Sequence, residues 1–572
     1  MKILLLEHPR KIAHVRCNDI ANTPLSSCLI TGSAAGMLAS RGHEITIVEG
    51  FLDGLSYDEI HRVVSAFGPD IIGVHMVYHW ERDEDLFNFL RKIKDGGSTP
   101  FIVAYGFYPT FAFEEIFRHC QAIDAVILGE PEYTFARLAE KPYPGAELQE
   151  IPGLAWQDGS GTICAQRREP VANLDLLPFP VRTKAMLRLP EINIEGSRGC
   201  YGGCTFCYIN PYYSGKGTHL SLEPGFGGQR NVPDVQGTHL SLGTDFGAGG
   251  MSPINACFGG QRNVPDLMAS GSEECPQLMN VSGISGSTRW RGRSPENIVA
   301  EIDRLMAECG KRDFYFVDPN FFGPGRQGQD RALRLASLLK ERNIRFGIEA
   351  RVNDIHEQTI SALVKAGLRH ILIGLESGKD ESLRRLNKMT TVAQNEKALK
   401  ILRLHGIEPN VGFIMFEPDS SLGDIRINLD FLQRNALLEE LAITANVLYH
   451  PQIILQGTRA YHKLQEEGRL KLFSTTYEGT ACFADHQVAV LAQIMSGITN
   501  SLFVKMDGIW SGKEEEPKEA QLLYMKLNSA LIKYFTDALD RLENGKQYTP
   551  EDIADLVCEA EQEINNTFSG GK

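Results

Sequence analysis

The sequence has no apolar run approaching the about 18 to 20 residues of a membrane-spanning helix. Its N-terminus, MKILLLEHPRK, carries four consecutive apolar residues before charge sets in, too few for the core of a secretory leader. A basic excess is missing as well. The 72 Asp and Glu outnumber the 58 Lys and Arg, for a net charge of −14. Phosphate binding needs a basic footprint, so a nucleic acid is excluded as the main partner. No Gly-x-Gly-x-x-Gly follows the first predicted strand, which disfavours a dinucleotide-binding domain. The 12 cysteines are scattered except for one tight group, a usage that fits a reducing compartment rather than a disulfide framework. These absences predict a soluble, cytoplasmic protein with no membrane partner. At 572 residues the chain is too long for one core and divides into roughly three domains.

The tight group is Cys200, Cys204 and Cys207, spaced Cys-x3-Cys-x2-Cys in the run EGSRGCYGGCTFCYIN. Three thiolates on one Gly-rich loop can wrap a single metal centre. Three ligands leave one iron of a cubane cluster unclaimed by protein and open to a second molecule. A zinc knuckle needs a fourth Cys or His at a zinc spacing. His219 and His239 are the nearest candidates, and neither has that spacing. Plain buried thiols are the remaining alternative, but Gly199, Gly202, Gly203 and their polar neighbours describe an exposed loop.

With Phe206 before the third cysteine and Tyr208 after it, the pattern resembles the signature of the radical S-adenosylmethionine superfamily. The resemblance implies that the three cysteines hold a 4Fe-4S cluster whose open iron chelates S-adenosylmethionine. One electron, from a flavodoxin- or ferredoxin-type donor, then cleaves it to a 5'-deoxyadenosyl radical. Phe206 and Tyr208 become cofactor-side residues on this reading.

Ahead of the cysteines, residues 1–150 alternate strand and helix. Strand patterns fall at 2–6, 44–48, 70–74, 101–104 and 125–128, with a small-residue helix at 25–40. This alternation predicts an α/β, doubly wound, Rossmann-like sheet that binds ligand beyond the carboxyl ends of its strands. The loops there carry His75, Tyr78, His79, Tyr105, Gly106, Gly129 and Glu130. The runs YGFYPTF and DAVILGEPEYTF, with the linker LDLLPFPVR, resemble the cobalamin (B12)-binding domain fused ahead of radical S-adenosylmethionine domains. Asp-x-His-x-x-Gly, by which many cobalamin proteins supply a lower axial histidine, is absent. The lower face is then unligated or met by another group. His75, Tyr78 and His79 are placed to approach it, while the plainer reading makes a histidine after a strand a packing or hydrogen-bonding residue.

Residues 151–190 read as a linker and 191–447 as a partial (β/α)6 barrel of TIM type. Its six strands are predicted at 192–196, 314–318, 345–351, 370–377, 410–416 and 441–447. Ser294, Pro295 and Glu296 mark a helix start. Functional residues in such folds sit where strands end, which singles out Asp318, Glu349, Arg351, Glu376, Ser377, Phe413 and Met415. The resemblance makes Arg351 and Glu376 the candidates for S-adenosylmethionine, with a planar fork for its carboxylate and an acceptor for its ammonium or ribose. Strand-end salt bridges are the alternative. GTHLSL and FGGQRNVPD each occur twice, at 217–222 and 226–234, then at 237–242 and 258–266. The Gly/Ser/Asn-rich stretch 218–288 around them reads as an inserted, partly duplicated element. Its Cys257 and Cys275 are a poor ligand set for a second cluster. Residues 448–572 read as mainly helical, with Cys482 and Cys558 as ordinary thiols.

Cobalamin and S-adenosylmethionine together imply, by the same resemblance, a methyltransferase acting on a small-molecule precursor at an unactivated carbon or a phosphinate phosphorus. The opening LEHPRK and RCNDIANTPLSSCLITG resemble the subgroup that includes phosphinate P-methylases. A non-methylating ring formation or oxidation, or a non-catalytic corrinoid sensor, is the alternative.

Overall fold

The computed structural model describes residues 1–9, 29–77, 84–96, 100–140, 147–213, 290–472, 478–510 and 520–569. Tyr78, His79, Cys257, Cys275 and the repeats lie outside them.

The chain opens with β1 (Lys2–Glu7), α1 (Leu29–Ser40), β2 (Glu44–Glu49), α2 (Tyr57–Phe67), β3 (Ile71–His75) and α3 (Glu84–Asp95). It continues with β4 (Phe101–Tyr105), α4 (Phe107–His119), β5 (Ala125–Ile127), α5 (Glu132–Ala139), β6 (Leu154–Gln157) and β7 (Ile163–Gln166). These strands form one sheet in the order β2-β1-β3-β4-β5-β6-β7. β1 to β5 are parallel, and β6 and β7 are added antiparallel. Successive strand residues point to opposite faces. Ile3 and Leu5 therefore pack with α1 and α5, while Leu4 and Leu6 pack with α2, α3 and α4. α2 begins where Ser56 and Glu59 form a capping box and stops at the left-handed Gly68.

After α6 (Lys184–Arg188) come β8 (Ile192–Ile194), β9 (Ser197–Arg198), α7 (Ile209–Tyr213), β10 (Arg291–Gly292) and α8 (Pro295–Cys309). Ser294 caps α8, accepting from Asn297, with Pro295 in the first turn. Next are β11 (Asp313–Phe316), α9 (Gly325–Leu339), β12 (Arg345–Arg351), α10 (Glu357–Ala366), β13 (Leu368–Glu376), α11 (Asp380–Arg385), α12 (Val392–Leu404) and β14 (Asn410–Phe413). A second, all-parallel sheet runs β14-β13-β12-β11-β8.

The sixth strand expected at 441–447 is instead a helix. After α13 (Leu422–Arg434) comes α14 (Leu441–Tyr449), with Leu441, Thr444, Ala445 and Leu448 buried at helical spacing. Ile443, Thr444 and Val447 are β-branched, which gave the segment its strand-like look. Beyond β14, among the described residues, only a single parallel bridge, Phe416 to Pro451, extends the pairing.

The C-terminal region is less purely helical than expected. β15 (Ile454–Leu455), α15 (Arg459–Glu466), β16 (Leu470–Leu472) and β17 (Glu478–Ala481) include a small antiparallel sheet in the order β15-β17-β16. α16 (His486–Trp510), α17 (Ala520–Glu543) and α18 (Pro550–Ser569) follow. Among the described helices, the stretch His486–Met506 of α16 is long and apolar enough to cross a membrane by length and composition alone, as buried core helices also are. Its Val488, Leu491, Ile494, Met495 and Ile498 belong to the same core as the second sheet. Cys482 is disulfide-bonded, which corrects its reading as an ordinary thiol; Cys558 is a free, exposed thiol.

Candidate active site

The cysteine loop leaves β9 at Gly199, whose φ of +79° favours glycine. Asn210 ties the loop to itself: its Oδ1 accepts from Cys200 N at 3.3 Å, and its Nδ2 donates to Gly202 O. The turn after α11 holds it from outside. Thr205 N donates to Leu386 O at 2.9 Å, and Asn387 Nδ2 donates to Gly203 O at 2.6 Å. A Cβ at Gly202 would collide with the Arg351 guanidinium, and one at Gly203 with Asn387 Nδ2. The loop can therefore sit this deep only without side chains at those two positions.

Cys200, Cys204 and Cys207 are all free and half-buried. Among the described residues, no group of three or more His, Cys, Asp or Glu is gathered as a single metal ion would need. Three thiols spread along one loop, with no fourth ligand, fit a cluster with an open iron better than a lone zinc. Burial, and then the neighbouring thiol of Cys204, push Cys207 up to about 12. A bound cation is what would make thiolates stable there.

Several polar groups point at the sulfurs. Gly202 N donates to Cys200 Sγ at 3.3 Å, Asn320 Nδ2 lies 3.9 Å from the same sulfur, and Arg351 Nη1 lies 3.5 Å from Cys204 Sγ. Arg351 also donates to Lys388 O and lies over the Tyr201 ring at 5.5 Å. Tyr201 donates to Asp354 at 2.6 Å and accepts from Asn353 at 2.8 Å, and Asn320 donates to Asp354 at 3.1 Å. Lys388 Nζ meets Glu376 Oε1 at 2.6 Å in a buried pair. Glu376, Asn387 and Met389 have φ of +64°, +50° and +58°, and such strain clusters where packing over-determines the backbone.

Of the candidates read from the sequence, the structure brings Arg351 to Cys204 Sγ, pairs Glu376 with Lys388, whose carbonyl oxygen accepts from Arg351, and sends others elsewhere. Ser377 Oγ turns to Asn428 Oδ1 at 2.8 Å. Met415 is fully buried in the core, and Phe413 stacks on Phe431. Phe206 stays half-buried on the loop. Lys388, Asn387, Asn320, Tyr201 and Asp354 were missed, because no local pattern marks them.

Asp318, just past β11, and Glu349, on β12, are buried side chains. Gly196 N donates to Asp318 at 2.6 Å, and Tyr315 donates to Glu349 at 3.2 Å. Burial raises Asp318 to about 7 and Glu349 to about 8. Both hold their protons to higher pH when folded than when unfolded. Stability from these groups is thus complete below about pH 4 and is lost as the pH rises towards about 8. Glu349→Gln is expected to flatten the fall of stability across that window, measured by denaturant titration at successive pH values; an unchanged slope would refute the assignment.

The carboxyl edge of the first sheet meets this loop directly. Phe107 packs on Tyr208 and Tyr212 with ring centroids 4.9 and 4.5 Å away. Tyr212 donates to Gly129 O at 2.8 Å, and Gly129 N donates to Thr110 at 3.0 Å. His75 is fully buried, with Nδ1 2.9 Å from Glu7 Oε1. Tyr105 and Thr31 share a 2.8 Å hydrogen bond, and Thr31 donates to Glu7. Gly106, at φ +116°, allows this, since a Cβ would strike Met76 O and the His75 ring. Glu130 is tied up in ion pairs with Arg198 and Arg291.

Residues 275–432 match the model of the Radical SAM superfamily. The match begins downstream of the cysteines. The chain is 23% identical over 442 residues to an uncharacterized methyltransferase of Pyrococcus horikoshii, covering 76% of this chain and 78% of that one. It is 25% identical over 269 residues to a cytidylyl-2-hydroxyethylphosphonate methyltransferase of Streptomyces wedmorensis, covering 38% of this chain and about half, 48%, of that one. Among solved structures, the cobalamin-dependent S-adenosylmethionine radical enzyme OxsB with aqua-cobalamin bound superposes with a TM-score of 0.70 at 19% identity. The superposition covers 99% of this chain and 79% of OxsB, and at that identity it speaks for the fold.

Proposed function

We propose that this chain, a radical S-adenosylmethionine enzyme, methylates a small molecule at an unactivated carbon or a phosphinate phosphorus, with cobalamin as the methyl carrier. Residues 1–166 form the cobalamin-binding part, because β6 and β7 complete its sheet and move the expected boundary at 150 downstream; 167–190 form the linker, 191–447 the partial barrel that binds S-adenosylmethionine, and 448–572 the closing region. The observation that carries this reading is the direct packing of the cysteine loop and α7 on the carboxyl edge of the first sheet, through Phe107, Tyr208, Tyr212 and Gly129. Ligand sites of doubly wound sheets lie at that edge, so two cofactor sites would face each other there.

Cys200, Cys204 and Cys207 would hold the 4Fe-4S cluster, which supplies the electron for cleaving S-adenosylmethionine, while cobalamin supplies the methyl group. Arg351 and Lys388 place two cations beside the thiolates and offset their charge. Gly202 lets Arg351, and Gly203 lets Asn387, close on the loop. Phe107, Tyr208 and Tyr212 exclude water from the junction, which protects reactive species from side reactions. A flavodoxin- or ferredoxin-type reductant in the cytoplasm would provide the electron.

Turnover separates this from ring formation or oxidation. With reductant and substrate, S-adenosylhomocysteine is expected alongside 5'-deoxyadenosine; 5'-deoxyadenosine alone would overturn methylation in favour of the second reaction type.

A further inference from the structure

Arg198 stands two residues before Cys200, and its guanidinium side chain is 3% exposed. It meets three carboxylates: Glu130 at 2.8 Å, Glu132 at 2.6 Å and Glu195 at 2.9 Å. Glu130 and Glu132 sit in and just after the turn that follows β5 of the first sheet, whereas Glu195 and Arg198 belong to the second half of the site. Arg198 is paired in register with Arg291 across β9 and β10. Arg291 in turn meets Glu130 at 2.9 Å, donates to Val171 O at 2.6 Å and lies over the Tyr213 ring at 5.7 Å. Val171 N closes the circuit by donating to Glu130 Oε2 at 2.8 Å.

Such a knot is poor value as a source of stability alone. Buried ion pairs are matched or beaten by apolar side chains of similar volume, so their presence points to another use, of which fixing register is the best attested. The need for one is visible here. Apart from the Tyr212 to Gly129 hydrogen bond, the contacts described above between the cysteine loop and the first sheet are aromatic packing, which lacks direction, whereas guanidinium–carboxylate bonds fix both distance and angle. The knot also holds three carboxylates against two guanidiniums, and burial raises Glu195 above the usual carboxylate range.

We propose that Arg198 is a positioning residue: its knot with Glu130, Glu132, Glu195 and Arg291 sets the register of the cysteine loop against the carboxyl edge of the first sheet, and so the separation of the two cofactor sites. The first part concerns the chain alone; the second rests on the function proposed above.

Arg198→Lys, Arg198→Met and Glu132→Gln test it in the full-length protein, with two measurements. In cluster-free protein, amide hydrogen exchange over 199–213 and 127–132 is expected to quicken together by roughly tenfold in Arg198→Lys, with the slowest exchanging core of the second sheet unchanged. In protein loaded with cluster and cobalamin, the magnetic relaxation of the reduced cluster by cob(II)alamin depends on their separation and is expected to change in the same variants, at wild-type iron content. Exchange that rises uniformly across the chain, or stays at wild-type rates in both segments, overturns the positioning role. Should Arg198→Met fail to fold, Arg198→Lys and Glu132→Gln carry the test. Wild-type protein that binds no iron would sink the proposed function while leaving the exchange result intact.

Discussion

Cys204→Ala is expected to yield a folded protein that retains no cluster iron after reconstitution and no longer cleaves S-adenosylmethionine. The loss should exceed the roughly 10- to 100-fold that substitution of groups behind a metal ligand costs. Asn320→Ala, which removes a group 3.9 Å from Cys200 Sγ, provides that comparison. The fold should survive Cys204→Ala, because the loop is held by backbone and Asn contacts at Gly203, Thr205 and Asn210 that do not involve this sulfur. Iron and sulfide content, the visible absorption of the reconstituted protein and the thermal transition of the cluster-free form check the three parts separately. Wild-type iron in the variant would reject the cluster assignment.

Lys388→Met should cost about 3–5 kcal/mol of stability by denaturant unfolding. The pair with Glu376 is buried, so removal of the ammonium strands a carboxylate with little access to water. Burial works against the Lys388 charge, and the adjacent Glu376, with Cys204 behind it, more than restores it, so its ammonium is held above the ordinary lysine range. Adding Glu376→Gln to Lys388→Met should recover part of the loss, because the stranded group is then neutral. If the single variant unfolds at the wild-type denaturant concentration, the pair is not what holds the turn.

Much of the alternation in the first sheet could be read along the chain, because buried parallel strands such as KILLL announce themselves by composition within a few residues. The cysteine triplet was equally local. What escaped were features whose meaning depends on distant partners. Lys388 and Asn387 sit in an unremarkable run, RLNKM, and matter only because the loop at 203–205 comes to lie against them. Arg198 looks like any polar neighbour of a metal loop until Glu130 and Glu132 arrive from the first sheet. Residues 441–447 failed for a different reason: β-branched side chains favour a strand locally, but packing against the C-terminal helices decides for α14. Arg351 was legible as a strand-end charge, and the contact it makes with Cys204 Sγ was not.

The clasp of Arg291 on the Tyr213 ring, beside the β9–β10 pairing, brings together the two points where the chain leaves and rejoins the cysteine loop region. Once two ends are held at a fixed separation, the chain between them can be lengthened at a closure cost of only about 0.6 kcal/mol per doubling. A tandem copying event there is nearly invisible to the fold, which makes this point a tolerant address for added sequence.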